Sequence, residues 1–199
     1  MTGHEAAVTC VCSDYGSGSF VCSGSRDGSV RCSILLYSPI LTKITRMLIF
    51  ERCWDLLSGL TVNIITDCGG EVTSVACSGN LIVTAARNST VRVIDMRMNR
   101  VLQRLRGSHN VSRNFIRASF GPGNGNVMCG SEDGLLHMWD QASGARVDKI
   151  TASASPVYAG AWSAAQGILA CACHDGTVSL WGQRQRLDCV SSPHSPTQP

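Results

Sequence analysis

Charge is scarce in this chain. Asp, Glu, Lys and Arg make up 16% of its 199 residues and leave a net charge of +3. A balance so small, with the basic residues dispersed, carries no nucleic-acid footprint. Aromatic residues are also few, at 6%, and there are only six prolines. No Cys-x-x-Cys pair occurs among the eleven cysteines, so the ligand spacing of a zinc knuckle or ribbon is missing. The residues after Met1 show neither the basic start nor the apolar centre of a secretory leader, which favours cytoplasm or nucleus. The longest apolar stretch, about 17 residues within 33–53, is interrupted by Pro39, Lys43 and Arg46. A membrane span needs about 20, so no membrane partner is expected. Gly16-Ser17-Gly18-Ser19 and Gly121-Pro122-Gly123-Asn124-Gly125 are glycine-rich, but neither leads into the Lys-Ser/Thr and helix that a phosphate loop requires. They read as loops between strands. With 44% hydrophobic residues, the chain suits an all-β protein whose sheets are buried on both faces.

What is present is a phrase repeated four times. It reads Ser-Arg-Asp-Gly-Ser-Val-Arg-Cys from Ser25, Ala-Arg-Asn-Ser-Thr-Val-Arg-Val-Ile-Asp from Ala86, Ser-Glu-Asp-Gly-Leu-Leu-His-Met-Trp-Asp from Ser131, and Cys-His-Asp-Gly-Thr-Val-Ser-Leu-Trp from Cys173. The turn residues are Asp27, Asn88, Asp133 and Asp175, the last three 45 and 42 residues apart. Ile94, Trp139 and Trp181 each follow their turn residue by six positions. Asp-Gly between alternating runs is a hairpin signal, because these residues tolerate the positive φ of a tight turn. A further short strand precedes each hairpin, at Val8–Cys12, Val72–Ala76, Phe115–Phe120 and Val157–Trp162. Another follows, at Leu60–Ile65, Val101–Leu105, Val147–Ile150 and Leu187–Val190, giving four strands per unit. A period of 40–45 residues closing on Trp-Asp marks a propeller blade.

On these motifs the chain resembles the WD-repeat family over about nine-tenths of its length. The resemblance implies a β-propeller of four-stranded antiparallel blades. It also implies a hydrogen-bonded tetrad of His, Ser or Thr, the turn Asp and the Trp in each complete repeat. Two repeats carry the full set: His4, Ser25, Asp27 and Trp54, then His109, Ser131, Asp133 and Trp139. The second repeat has Asn88 and Ile94, and the fourth has Pro156 where the His belongs, so these two are expected to be held mainly by packing. The expected blades cover about 3–67, 68–106, 107–151 and 152–190. Propellers close with four to eight blades, and those of this family usually have seven. Four therefore imply an incomplete or open ring, completed by further blades upstream or by a second chain. The Pro/Ser-rich end, 191–199, is expected to be disordered, with Ser192 and Ser195 as possible phosphate acceptors.

The first repeat is broken. Asp27 and Trp54 stand 27 residues apart, and removing 33–53 restores Arg31-Cys32-Trp54-Asp55. These residues are read as an unspliced segment rather than an evolved loop. The alternative is a true insertion that lets Cys53-Trp54-Asp55 resume the third strand. The cysteines fall where other repeats place Val, Ala, Ser or Thr, and read as small buried hydrophobes. A disulfide or a metal site is the lesser reading, and neither a metal nor a cofactor is expected.

No catalytic constellation emerges, and the chain is not expected to be an enzyme. Ser, His and Asp occur together only in the structural tetrads, without an oxyanion donor set. The function expected is a non-catalytic scaffold for protein–protein interaction, presenting loops and rim within a multiprotein complex. Arg26, Arg87, Glu132 and His174, each just before a turn residue, are the candidate partner-facing positions, with the two Arg suited to an acidic or phosphorylated peptide. Arg31 and Arg92, four residues beyond the turn, either extend a basic stripe or coat a strand face. The alternatives are a subunit of a ribonucleoprotein particle, without direct contact to nucleic acid, and a substrate receptor of a ubiquitin ligase.

Overall fold

Val, Ile and Thr alternate with small residues on both sides of each Asp-Gly or Asn-Ser pair, a pattern that suits pleated strands joined by short turns. The computed structural model describes residues 4–13, 20–34, 54–55, 63–66, 68, 70–106, 116–182 and 186–190, and it has strands on both sides of each turn, although the one expected over 115–120 begins only at Ala118. The first sheet comprises β1 (Val8–Ser13), β2 (Phe20–Ser25), β3 (Val30–Ile34), β4 (Trp54–Asp55) and β5 (Asn63–Ile65). The second holds β6 (Val72–Ser78), β7 (Leu81–Ala86), β8 (Thr90–Asp95) and β9 (Arg100–Leu105). The third holds β10 (Ala118–Phe120), β11 (Asn126–Cys129), β12 (Leu135–Asp140) and β13 (Arg146–Thr151), with one 3-10 turn, Pro122–Asn124, between its first two strands. The fourth holds β14 (Val157–Ser163), β15 (Ile168–Cys173), β16 (Val178–Gly182) and β17 (Arg186–Val190). The second, third and fourth sheets are antiparallel meanders in chain order.

The hairpin turns share one geometry. Gly28 N–H donates to Ser25 O, Ser89 N–H to Ala86 O and Gly176 N–H to Cys173 O, each closing a tight turn. The positive φ falls on the residue after the Asp or Asn: Gly28 at 78°, Ser89 at 60°, Gly134 at 81° and Gly176 at 79°. Glycine carries the left-handed conformation at three of the four, and the acidic residue contributes acceptor oxygens instead.

Alternation across β7 and β8 divides the second sheet's side chains between its neighbours. Ile82 and Ile94 join Cys22, Val30, Val72 and Val75 in the core facing the first sheet. Val83 and Val93 join Ile116, Val127 and Trp139 in the core facing the third. Leu136, Met138, Val157 and Leu169 fill the core between third and fourth. The first strands of the sheets, β1, β6, β10 and β14, pack side by side in that order. A hydroxyl crosses each junction: Thr9 donates to Val72 O, Thr73 to Ile116 O at 3.1 Å, and Ser119 to Gly160 O at 2.9 Å. The backbones come so close that a Cβ on Gly130 would lie 2.1 Å from Val157 O. Among the described elements, the first and fourth sheets share no packing of comparable extent. The architecture is all-β, with four blades in an open arrangement.

One sequence expectation is corrected here. Trp54-Asp55 does not resume the third strand of the first sheet. Ser33 and Ile34 complete that strand directly, pairing with Val21 and Phe20. Trp54 and Asp55 pair parallel to Ser33 and Ile34, and the antiparallel outer neighbour is β5. The reason is local: Ser33-Ile34 continues the alternation of Val30-Arg31-Cys32, so the hairpin zips onward without a break. Residues 35–53, the rest of the segment read as an interruption, lie outside the described residues, as do 16–19, His109 and the tail 191–199. Among the described residues no helix is long and apolar enough to cross a membrane.

Candidate interaction rim

In the first, second and fourth sheets the turn between second and third strands folds back onto the segment leading into its own sheet. The Arg26 amide donates to Ala7 O at 3.0 Å, the Arg87 amide to Glu71 O at 2.9 Å, and the His174 amide to Pro156 O at 2.8 Å. Ala7, Glu71 and Pro156 are the residues immediately before β1, β6 and β14. These bonds place the residues before the turn on one end of their sheets, next to the lead-in segments. Glu132 holds the same turn position in the third sheet. Their environments differ. Arg26 and His174 are exposed, whereas Arg87 and Glu132 are half-buried. Arg87 Nε lies 3.2 Å from Glu71 Oε2. The His174 ring stands edge-on to Tyr158, with centroids 5.5 Å apart, and its Nδ1 meets the Tyr158 hydroxyl.

The turn carboxylates anchor this rim. Asp27 Oδ1 accepts from the Ser29 amide at 2.9 Å and the Ser29 hydroxyl at 2.6 Å. Its Oδ2 accepts from His4 Nδ1 at 2.9 Å and the Glu5 amide at 3.0 Å. Burial opposes the charge on Asp27, but the hydrogen bonds from Ser29, His4 and Glu5 outweigh it and hold the carboxyl well below the usual carboxylate range. His4 Nε2 lies 2.9 Å from Ser23 Oγ. The hydroxyl on the His4 ring is thus that of Ser23, not of Ser25 as the sequence suggested. Ser25 donates to Ala6 O and Ala7 O and receives the Asp27 amide. Strand alternation puts Ser23 and Ser25 on one face of β2, and only Ser23 is far enough from the turn to reach the ring. Ser23, His4 and Asp27 have the connectivity of a hydrolase triad. However, Ser23 is flanked in the sheet by Val11 on one side and Arg31 on the other, and Asp27 is occupied with shaping the turn.

The other three turns use different means. In the third sheet Trp139 is fully buried, and its indole donates to Arg106 O at 3.1 Å. Ser131 Oγ sits 3.5 Å from the Asp133 amide, and Asp133 Oδ1 accepts from the Leu135 amide at 3.2 Å. The histidine nearest Asp133 among the described residues is His137, with Nε2 3.7 Å from Oδ2 and its ring stacked on Trp139. In the fourth sheet Ser153 and Ser155 stand in for the missing His. Their hydroxyls donate to Asp175 Oδ2 at 2.7 and 3.0 Å, while Thr177 donates to Oδ1 at 2.6 Å. These bonds hold the Asp175 carboxyl well below its ordinary range. Polar bonds therefore tie this sheet's turn to its lead-in segment, where mainly packing was expected. In the second sheet the corresponding tie is the Arg87–Glu71 pair, and Asn88 Oδ1 accepts from the Thr90 hydroxyl at 2.6 Å. Arg92 is buried, donating to Thr90 Oγ1 at 2.7 Å and to Cys68 O, so it adds nothing to an exposed basic stripe.

A group that the spacing of the cysteines hides lies beneath the first junction. Sγ of Cys12, Cys22 and Cys77 all fall within 4.8 Å of one another. Cys32 Sγ is 2.7 Å from Cys22 Sγ. The Cys12 thiol is pushed down by hydrogen bonds from Cys22 and Cys77, and its neighbours Cys22 and Cys77 are pushed up. The signal was available: Cys22 and Cys32 are each five residues from Asp27, so a hairpin centred there must pair them. Cys77 comes from another sheet, which no spacing rule reveals.

Comparison with known proteins agrees with this architecture. The model of the WD domain, G-beta repeat, matches residues 1–32, 60–95 and 144–182. Autophagy-related protein 16 of Arabidopsis thaliana is 32% identical over 133 residues, covering 65% of this chain and 26% of that protein. Protein tipD of Dictyostelium discoideum is 27% identical over 138 residues, covering 65% of this chain and 22% of its own length. The chain thus spans about a quarter of the length of these curated relatives. Among solved structures, the computationally designed Ika4 protein superimposes with a TM-score of 0.66 at 23% identity, over 90% of this chain and 93% of its own. With the repeated hairpins, the four sheets of four or five strands and a family match over more than half of its length, the chain belongs to the WD-repeat family.

Proposed function

We propose that the chain is a non-catalytic scaffold whose rim of Arg26, Arg87, Glu132 and His174 receives an acidic or phosphorylated segment of a partner protein within a multiprotein assembly. The observation that carries this reading is the shared backbone anchoring of Arg26, Arg87 and His174, which sets unlike side chains at equivalent places on the first, second and fourth sheets. Such a rim reads a partner by its side chains while the sheets stay fixed. Arg26 is exposed, and Arg87 exchanges its contact with Glu71 for a ligand carboxylate or phosphate at little cost, because both side chains of that pair are more than a third exposed. The name of the Arabidopsis relative points to autophagy as the setting for the assembly.

An array of acidic, phosphorylated, neutral and basic peptides tests this directly. Arg26→Glu and Arg87→Glu are expected to weaken retention of the acidic and phosphorylated members by about tenfold or more, the worth of a charge-assisted contact and its reversal. Glu71→Gln should strengthen retention by releasing Arg87. Retention that ignores all three substitutions would overturn the rim assignment.

A further inference from the structure

Cys12, Cys22 and Cys32 form a row across three neighbouring strands. Register pairs Cys12 with Cys22 and Cys22 with Cys32, so alternation puts all three side chains on one face of the first sheet. That face packs on the second sheet, whose β6 sends Cys77 into the same spot. The shell around them is apolar, built from Val72, Val75, Ile82 and Ile94. Cys22 and Cys32 are fully buried, whereas Cys12 and Cys77 are partly open to solvent, which gives a solute a way in.

Small buried hydrophobes at these positions would account for each cysteine singly. They do not account for sulfurs from three strands and two sheets meeting at one point, with a fourth beside them. A tetrahedral ion with Zn–S bonds of about 2.3 Å sets its sulfurs roughly 3.8 Å apart. The three mutual Sγ distances, all within 4.8 Å, admit that spacing, and Cys32 Sγ stands beside Cys22 Sγ. Soft thiolates in an apolar shell select thiophilic d10 ions over hard ones. We propose that Cys12, Cys22 and Cys77, with Cys32 as fourth donor, form a thiolate site for zinc(II) or copper(I) that clasps the first sheet to the second. Binding releases the thiol protons to solvent and changes no oxidation state. Four donors suit zinc, and three suit copper(I), for which Cys32 is dispensable.

The full chain, reduced and kept anaerobic, is equilibrated with zinc(II) or with copper(I) against a chromophoric chelator. It is then freed of excess metal and analysed for metal and for thiols open to alkylation. One ion per chain is expected, with Cys12 and Cys77 protected from alkylation while Cys10 stays reactive. Cys77→Ser should weaken binding by at least about tenfold, since loss of an outer-shell partner alone costs as much. Cys173→Ala, in the fourth sheet, should leave binding unchanged. Loss of binding in Cys32→Ser identifies zinc as the fitting ion, and retention identifies copper(I). The alkylation pattern of the unaltered chain reports independently of whether a variant folds. Substoichiometric uptake of both ions, unprotected Cys12 and Cys77, or a Cys22–Cys32 disulfide recovered from the reduced chain would each overturn the site.

Discussion

Nδ1 of His4 lies 2.9 Å from Oδ2 of Asp27, and this contact locks the first sheet's turn onto the segment that leads into it. An ionised carboxylate only accepts, so Nδ1–H donates, and in the neutral ring Nε2 is left to accept from the Ser23 hydroxyl. The chain Ser23–His4–Asp27 thus has a single sense, and removing the ring takes one partner from the hydroxyl and one from the carboxylate. His4→Ala is expected to cost about 1.5–3 kcal/mol, the range for a hydrogen bond to a charged group. Urea denaturation measures it. Ser23→Ala on the His4→Ala background should add less than it does alone, because the two share one network.

Acid should act through the same carboxylate. The folded-state pKa of Asp27 is depressed, so the unfolded chain takes up its proton first as pH falls. The stabilisation is whole above the ordinary Asp value, about 3.9, and is lost as pH drops through the folded value. Asp175 acts in the same direction from the fourth sheet. Urea midpoints taken from neutral pH downward should fall steeply below about pH 4, and Asp27→Asn should flatten that fall. Parallel curves for the two proteins would mean that other carboxylates dominate.

What the sequence made legible was local. Asp27, Asn88, Asp133 and Asp175 announced their hairpins because a tight turn needs particular residues within four positions. What stayed hidden was decided across strands or between sheets. Ser23 and Ser25 are equivalent by alternation, and only the reach of the His4 ring separates them. Ser33-Ile34 and Trp54-Asp55 were competing continuations of one strand, and the uninterrupted chain won because pairing propagates from the hairpin already formed. Ser153 and Ser155 replace a histidine from the same lead-in segment, a substitution of chemistry that a search for His passes over. The convergence of Cys77 on Cys12 and Cys22 depends on the stacking of two sheets.

Ser89 is the one turn residue of the four that holds the left-handed conformation without being glycine, at φ 60°. That conformation costs an L-residue about 1–2 kcal/mol. Glycine pays no such penalty but loses more entropy on folding, by roughly 0.5–1 kcal/mol. Ser89→Gly should therefore raise stability by up to about 1 kcal/mol, with the turn bond from residue 89 to Ala86 O retained. A rise in the urea midpoint at constant slope would show it, and a fall would mean that the Ser89 side chain contributes more than its backbone costs.

His137 gives the third sheet a sensitivity in a milder pH range. Its side chain is fully buried, stacked on Trp139 with ring centroids 5.8 Å apart. Burial pushes its pKa down, against the attraction of the Asp133 carboxylate 3.7 Å away. The unfolded chain therefore binds this proton first, at the ordinary value of about 6.5. Stability is full above that pH and declines toward the depressed folded value, by no more than about 1.4 kcal/mol per pH unit for one proton. The midpoint of urea unfolding should thus already fall between neutral and mildly acidic pH, before the carboxylates titrate. His137→Phe keeps a ring against Trp139 and should remove this early decline. Asp133→Asn takes away the opposing charge, lowers the folded value further and should extend the decline to lower pH. An early decline of the same size in His137→Phe would assign it to another of the five histidines.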